Sequence, residues 1–581
     1  MKSKTKGHSE NTLLESTGEC EKTLDSIIEK TFGVKIQSKV STAKEHGDLA
    51  LPCFPLASQL KKNPREIAEK LAAEFNRKPA RFFQRAEALN GFVNFFFNGE
   101  FYARVLGESS GGNYGKTKPD EKEKIMVEFP SPNTNKPLHL GHLRNIFLAT
   151  SIAALNEFSG RKVYRVDLNN DRGVHICKSM LAYERFGSGR EPDKKSDHFV
   201  GDFYVKYAQE EKSHPELEEE IKEMLRKWED GDKKVRALWT KMNGWALQGF
   251  DETYARLGVK FDKVYSESEF YDKAKKVVEE GLEKGVFKKT PDGAVIAELE
   301  QFKLPNKILL RADGTSIYMT QDIYLAEQKF KDFKVDKSIY VVGSEQNLHF
   351  QQLFKILELL GYDWAKNCIH LSYGMVNLPT GRMKSREGTV VDADNLIDEV
   401  ESLAAGEITK RHPEVVKEEL KERASLIGQG ALRFFILKFD PRSELIYNPE
   451  ESVSFEGDTG PYVQYTCVRA RSIIEKAEAG KKPEGSSKAA LEFNDEEKKV
   501  LSLLSRFPQV AQSACTSMQP HQLCEYLLRL SASFNEFYHK HSVLNAYSEG
   551  EKQKRIALVQ STASVLENGL SLLGIKVPEK M

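Results

Sequence analysis

The sequence predicts a multidomain α/β protein organised around a parallel sheet. The chain has 581 residues, too many for one ordinary domain and suited to roughly three or four. Residues 125–168 run as strand, loop, helix, strand, the βαβ pattern whose crossover makes the strands parallel. From about Glu456 onward the periodicity is almost entirely helical. Hydrophobic residues make up 40% and charged residues 30%, the balance of a folded globular chain and not of a disordered or fibrous one.

Taken in order, the first ten residues read as a polar tail without an apolar signal core, and Glu10, Glu15 and Glu19 speak against an organelle transit peptide. From about residue 20 to 115, helical patterns mix with short strands. Asn63-Pro64-Arg65-Glu66 starts a helix, with Asn63 as its cap and Pro64 in its first turn. Gly91 to Phe97 reads as a buried strand, and the polar stretch Gly107 to Lys124 as a linker. Ile125 to Phe129 is a short apolar strand carrying one acid, Glu128. After a proline-rich loop, Leu143, Ile146, Phe147, Leu155 and Phe158 mark a helix closed by Gly160, and Val163 to Leu168 the next strand. A charged insertion follows, about 186–298, containing the amphipathic helix Glu216 to Lys227. Ser338 to Gly343 and Ile369 to Val376 read as later strands of the same sheet, and the polar insert Ala477 to Lys488 as a surface loop.

Lys+Arg and Asp+Glu both number 86, so the formal net charge is zero. That excludes a blanket polycation and leaves a local basic face open. The seven cysteines form no C-x-x-C pair, so neither a zinc ribbon nor a disulfide framework is expected. Free thiols fit a reducing compartment. No apolar run reaches the length of a membrane span, and the expected location is the cytoplasm.

The most informative segment is Glu128-Phe-Pro-Ser-Pro-Asn-Thr-Asn-Lys-Pro-Leu-His139-Leu-Gly-His142. Pro132 and Pro137 stiffen a loop at the carboxyl end of a strand, where open α/β sheets bind ligands. Gly141 allows close approach to the backbone. His139 and His142 open the next helix, and two imidazoles at a positive helix end suit phosphate. A structural histidine pair or a metal pair is the other reading of such spacing, but no third ligand stands close by.

His139-Leu140-Gly141-His142 resembles the HIGH signature of class I aminoacyl-tRNA synthetases, and its flank, with Lys136 three residues before His139, resembles the arginyl-tRNA synthetases. The resemblance extends along nearly the whole chain. His46-Gly47-Asp48 and Asn63-Pro64-Arg65-Glu66 resemble that family's N-terminal added domain, and Leu257 to Asp262 a string in its connective insertion. Asp458 to Tyr465 resembles the start of its anticodon-binding helices, and Gly574 to Met581 its closing segment. This implies a tRNA-binding added domain over 1–118, a Rossmann-like catalytic domain over 119–455 with its insertion, and an all-α anticodon-binding bundle over 456–581.

Gly381-Arg-Met-Lys384-Ser-Arg-Glu-Gly stands where the family carries its KMSKS loop. Lys384 matches the second lysine, while Gly381 stands at the first. By resemblance, His139, His142, Lys384 and Lys136 are catalytic, and His139, Gly141, His142, Gly374, Met375 and Lys384 hold ATP. Glu128, Ser131, Asn133, His139, Tyr318, Asp322 and Gln346 hold arginine. Carboxylates suit a guanidinium because they accept paired, charge-assisted bonds, and Tyr318 and Asp322 share a face if helical. After the second strand, Arg172 and His175 replace the Trp and Gln of a common family form. The implied reaction is a two-step acyl transfer: the L-arginine carboxylate attacks the α-phosphate of ATP, carried with Mg2+ and without a dedicated metal site, giving arginyl-adenylate and pyrophosphate, and the arginyl group then passes to the 3′ end of tRNA(Arg). The family requires tRNA for the first step too, and a monomer is expected. The alternatives are a catalytically impaired tRNA-binding paralogue and a class I synthetase for another amino acid.

Overall fold

The computed structural model describes residues 11–43, 46–119, 123–271, 273–377, 391–478 and 492–581. The tail 1–10, the segment holding Gly381, Arg382 and Lys384, and most of the polar insert 477–488 lie outside the described residues.

The centre is a five-stranded parallel sheet. Its strands stand in the order Cys368–Tyr373, Lys337–Gly343, Lys124–Glu128, Lys162–Asn169, Lys263–Ser266. Ile125, Met126 and Val127 are at most 1% exposed, because a central parallel strand is covered on both faces and reads as an apolar run. The helix Leu140–Phe158 crosses between the third and fourth of these strands and is buried along most of its length. The stretch read as one insertion, 186–298, is divided: Lys263–Ser266 returns to the sheet as its edge strand. Before that strand, the helices Ser196–Glu210, Leu217–Glu229 and Lys233–Leu257 close a satellite core around Phe199, Phe203, Ile221 and Met242. Leu217, Ile221, Met224 and Trp228 form the buried face of the amphipathic helix. After it, Phe287–Lys289, Val295–Ala297 and Lys307–Leu310 make a small antiparallel sheet.

The run read as one strand from Ile369 to Val376 is broken at Gly374. Cys368–Tyr373 stays in the parallel sheet, while Val376–Asn377 pairs with Leu445–Ile446. The Gly374 N–H donates to the Pro441 carbonyl at 2.9 Å, and a Cβ there would lie 2.4 Å from the Ser443 carbonyl oxygen. No residue larger than glycine fits that crossing.

The N-terminal region is a four-stranded antiparallel sheet covered by the helix Pro64–Arg77 through Ile67, Leu71 and Phe75. Asn63 caps that helix, accepting from the Arg65 N–H at 2.9 Å. The C-terminal region is four long helices, Gly460–Glu478, Asp495–Ser517, His521–Lys540 and Glu549–Leu572. They touch both other regions: Ser502 Oγ donates to Asp48 at 3.0 Å, and Ser151, on the crossover helix, donates to the Leu572 carbonyl at 2.9 Å.

Candidate active site

A cleft of about 620 Å³ opens at the carboxyl ends of the parallel strands, where such sheets place their ligands. Glu128, Ser131, Asn133, His139, Gly141, His142, Tyr318, Asp322, Gln346 and Met375 all line it. Ten residues drawn from four separate segments of sequence thus meet in one cavity.

The two histidines cap the helix they begin. The Gly141 N–H donates to His139 Nδ1, and the His139 N–H donates to His142 Nδ1, each at 3.1 Å. Their rings stand 3.9 Å apart. A nitrogen that accepts a hydrogen bond carries no proton, so each neutral ring keeps its proton on Nε2. Burial first, then the charge of Lys136, pushes His139 down to about 3. Burial and the neighbouring His139 and Lys136 push His142 well down as well. The pair therefore offers neutral Nε2–H donors at the positive end of a helix whose first N–H groups are already taken, Leu140's by the Val391 carbonyl, Gly141's by His139 Nδ1, and those of His142 and Leu143 by the His139 carbonyl. It is a set of aimed dipoles, without the cationic charge of imidazolium.

Opposite lie the carboxylates. Tyr318 and Asp322 occupy the first turns of the helix Tyr318–Phe333, so the i, i+4 spacing does put them on one face. Asp322 Oδ2 stands 2.6 Å from His349 Nε2. Glu128, at the end of its strand, is 6% exposed and in contact with the buried Lys329. Gln346 follows the neighbouring strand in a short 3-10 turn. Glu267 was not singled out by its local sequence: it is 5% exposed, and Arg172, Asp171 and Asp322 all act on it electrostatically. Burial raises its pKa to about 7, against the lowering by Arg172. His349 and Lys329 were missed likewise. Their one sequence signal is that they share a segment with Gln346 and with Asp322.

The loop Ser131–Pro137 is pinned from behind. The Ser131 N–H donates to Asp167 at 3.0 Å, Asn170 Nδ2 to the Ser131 carbonyl at 3.1 Å, and Asn135 Nδ2 to the His175 carbonyl at 3.1 Å. Ser131 holds a left-handed φ of 58°, and Asn133 pairs with Asn170 in a parallel bridge. Lys136 lines a smaller neighbouring cavity on the other side of His139, together with His198 and Asp392. Gly374 does not line the cleft; it positions Met375, which does. Buried Arg144 holds the same strand by donating to the carbonyls of Met375, Pro441 and Ser443 at 3.3, 2.9 and 2.7 Å. Gly374→Ala forces this crossing apart. A loss of about 1–2 kcal/mol in stability is expected, together with a higher ATP KM; a thermal melt and ATP titration check both.

Arg172, at the Trp position of the common family form, bonds Glu229 at 2.5 Å. Its guanidinium lies over the rings of Tyr271 and Trp228, at 4.3 and 5.2 Å. The chain thus replaces an aromatic by a cation held among aromatics. His175 lines the cleft. Among the described residues, one cluster has metal-ligand chemistry, Asp197, His198 and Asp394. The Lys195 ammonium sits 2.9 Å from both carboxylates, which makes the cluster an ion network. All seven cysteines are buried and unpaired.

Comparison with known proteins agrees with this geometry. The family model for the catalytic domain of tRNA synthetases class I (R) matches residues 107–448, and the fold and cleft are those of a class I aminoacyl-tRNA synthetase. Models of the arginyl tRNA synthetase N terminal domain and of the DALR anticodon binding domain match residues 18–97 and 463–581. An arginine–tRNA ligase of Treponema denticola is 43% identical over 95% of this chain and 96% of its own length; one of Bacteroides fragilis is 42% identical over 94% and 96%. The structure of Thermus thermophilus arginyl-tRNA synthetase superposes with a TM-score of 0.82 at 27% identity, covering 97% of this chain and all of that one. The chain belongs to the arginyl-tRNA synthetase family. The readings as a synthetase for another amino acid or an impaired paralogue have no support in these matches.

Proposed function

We propose that this cleft activates L-arginine with ATP and passes it to the 3′ end of tRNA(Arg). The observation that carries the reading is the sharing of one cavity by two kinds of group. A helix start capped by two neutral imidazoles faces carboxylates drawn from separate elements. The first suits phosphate and the second guanidinium.

In the first step an arginine carboxylate oxygen attacks the α-phosphorus of ATP, and pyrophosphate leaves. Asp322 and Glu128 hold the guanidinium, with Tyr318 at the lip of the cleft. Asn133, Ser131 and Gln346 orient the amino acid. His139 and His142 donate to the phosphate oxygens through Nε2–H as charge grows on them, and Gly141 keeps the backbone open to the nucleotide. Lys384 and Lys136 supply mobile positive charge, and Met375 bounds the nucleotide. Mg2+ enters with ATP, carried by phosphates and water. In the second step a ribose hydroxyl attacks the activated carbonyl, releasing AMP. Neither step needs a protein nucleophile; positioning and charge stabilisation do the catalysis.

We also infer three functional regions, 1–118 for tRNA contact, 119–455 for chemistry and 456–581 for the anticodon, and a monomer working in the cytoplasm. No helix among the described residues is long and apolar enough to cross a membrane. The test is pyrophosphate exchange into ATP by the pure protein. Exchange is expected with arginine and tRNA together, and exchange driven by another amino acid rejects the reading.

Glu267 adds a pH signature. An acid held near 7 by burial is protonated below that pH and anionic above it. Arginine KM is therefore expected to fall severalfold as pH rises from about 6 to 8, up to the tenfold that one unit allows. In Glu267→Gln that dependence disappears. A KM profile identical in the two proteins excludes Glu267 from the pocket's charge.

A further inference from the structure

We propose that Lys329 is a positioning residue, an internal counter-ion that keeps Glu128 ionised before arginine arrives. The inference rests on the reading of Glu128 as an arginine-binding carboxylate. Glu128 lines the cleft but is 6% exposed, and Lys329, about three turns into the helix that carries Asp322, is 1% exposed. The Lys329 ammonium contacts Glu128 Oε2 and lies 4.8 Å from the centre of the Tyr340 ring. The Lys329 ammonium and Glu128 Oε2 are both shut off from water. A buried carboxylate without a partner takes up a proton, and a protonated carboxyl forms no ion pair with a guanidinium and offers it one acceptor fewer. Burial pushes the Lys329 ammonium down, so it depends on an anion for the same reason.

One helix thus sets both acids of the site, carrying Asp322 itself and supplying the partner that charges Glu128. The other titratable groups facing the pair are few. Burial pushes the Tyr340 phenol well up and the Cys368 thiol up to about 12, so both are neutral at working pH. Asp322, on Lys329's own helix, and His349 line the cleft, and Glu267 lies within electrostatic reach of Asp322.

The experiment compares arginine KM and kcat in tRNA charging from pH 6.5 to 8.5 for wild type, Lys329→Met, Lys329→Arg, Glu128→Gln and the double variant. Dividing the KM of Lys329→Met by that of wild type cancels the pH effects common to both proteins, that of Glu267 included. The ratio is expected to be about tenfold at pH 6.5 and to fall toward about threefold at pH 8.5, as the unpartnered Glu128 regains its charge. Turnover stays within about twofold, and Lys329→Arg restores a ratio near one. In the Glu128→Gln background, adding Lys329→Met gives a ratio that does not change with pH. A pH-independent ratio with Glu128 intact means that Lys329 only packs, and overturns the proposal.

If Lys329→Met does not fold, calorimetry of arginine binding to wild type at pH 8.0, in buffers of different ionisation enthalpy, decides. Less than about 0.2 proton released is expected, because Glu128 is already charged, and release of about one proton overturns the proposal. Wild type that charges arginine but gives a flat ratio sinks this inference alone. Wild type that charges no arginine sinks the reading beneath it, and this inference with it.

Discussion

Replacing His142 with alanine lowers kcat for arginine activation by about 10²–10³-fold, the loss typical of removing one preorganised donor to a developing oxyanion. The His142 ring accepts the His139 N–H through Nδ1, which fixes its tautomer and leaves Nε2–H for the phosphate. Burial holds the ring neutral far below working pH, so the variant removes an aimed dipole and no charge. Arginine KM should move less than about threefold, because the carboxylates lie on other elements. The alanine also opens the reciprocal cap, and His142→Asn serves as the control, since its amide oxygen can still accept the His139 N–H. If the asparagine variant keeps wild-type turnover, the ring serves only as a cap; if it loses turnover as alanine does, Nε2–H is the working group. Single-turnover formation of adenylate is the measurement.

Replacing Asp322 with alanine raises arginine KM by about 10- to 150-fold, corresponding to roughly 1.5–3 kcal/mol for a lost charge-assisted bond. Asp322 faces the cleft from the first turns of its helix and already holds His349 at 2.6 Å. Its removal deletes the anion proposed to hold the guanidinium and leaves His349 without this partner. Asp322→Asn keeps the shape and loses the charge, so most of the penalty should remain. Turnover at saturating arginine should fall much less, because in the proposed binding mode Asp322 pairs with the side chain and touches no reacting atom. An unchanged arginine KM in either variant removes Asp322 from the pocket.

Part of this site was readable because its chemistry is written locally. His139 and His142 announce a helix start by their place after a proline-stiffened loop. Tyr318 and Asp322 share a face through helical spacing alone, and the strand carrying Glu128 reads as a buried apolar run. What was not readable depends on distant contacts. Lys329 lies about 200 residues from Glu128 in sequence, and only the sheet and the helix packed on it bring them together. Glu267 looks like any acid in a polar stretch; its burial beside Arg172 and Asp322 is tertiary. The edge strand Lys263–Ser266 is four residues long, with Val264 45% exposed, too short and too polar to stand out from an insertion. Gly374 gave no sign that the strand turns there, because the reason is a carbonyl contributed by Ser443.

The measurement that tests the account most directly is charging by the pure protein, supplied with ATP, Mg2+, bulk tRNA and each amino acid separately. The account predicts that arginine alone becomes attached to tRNA, with release of AMP and pyrophosphate, and that its neutral analogue citrulline does not. Charging with a different amino acid, or with citrulline as readily as arginine, would contradict it.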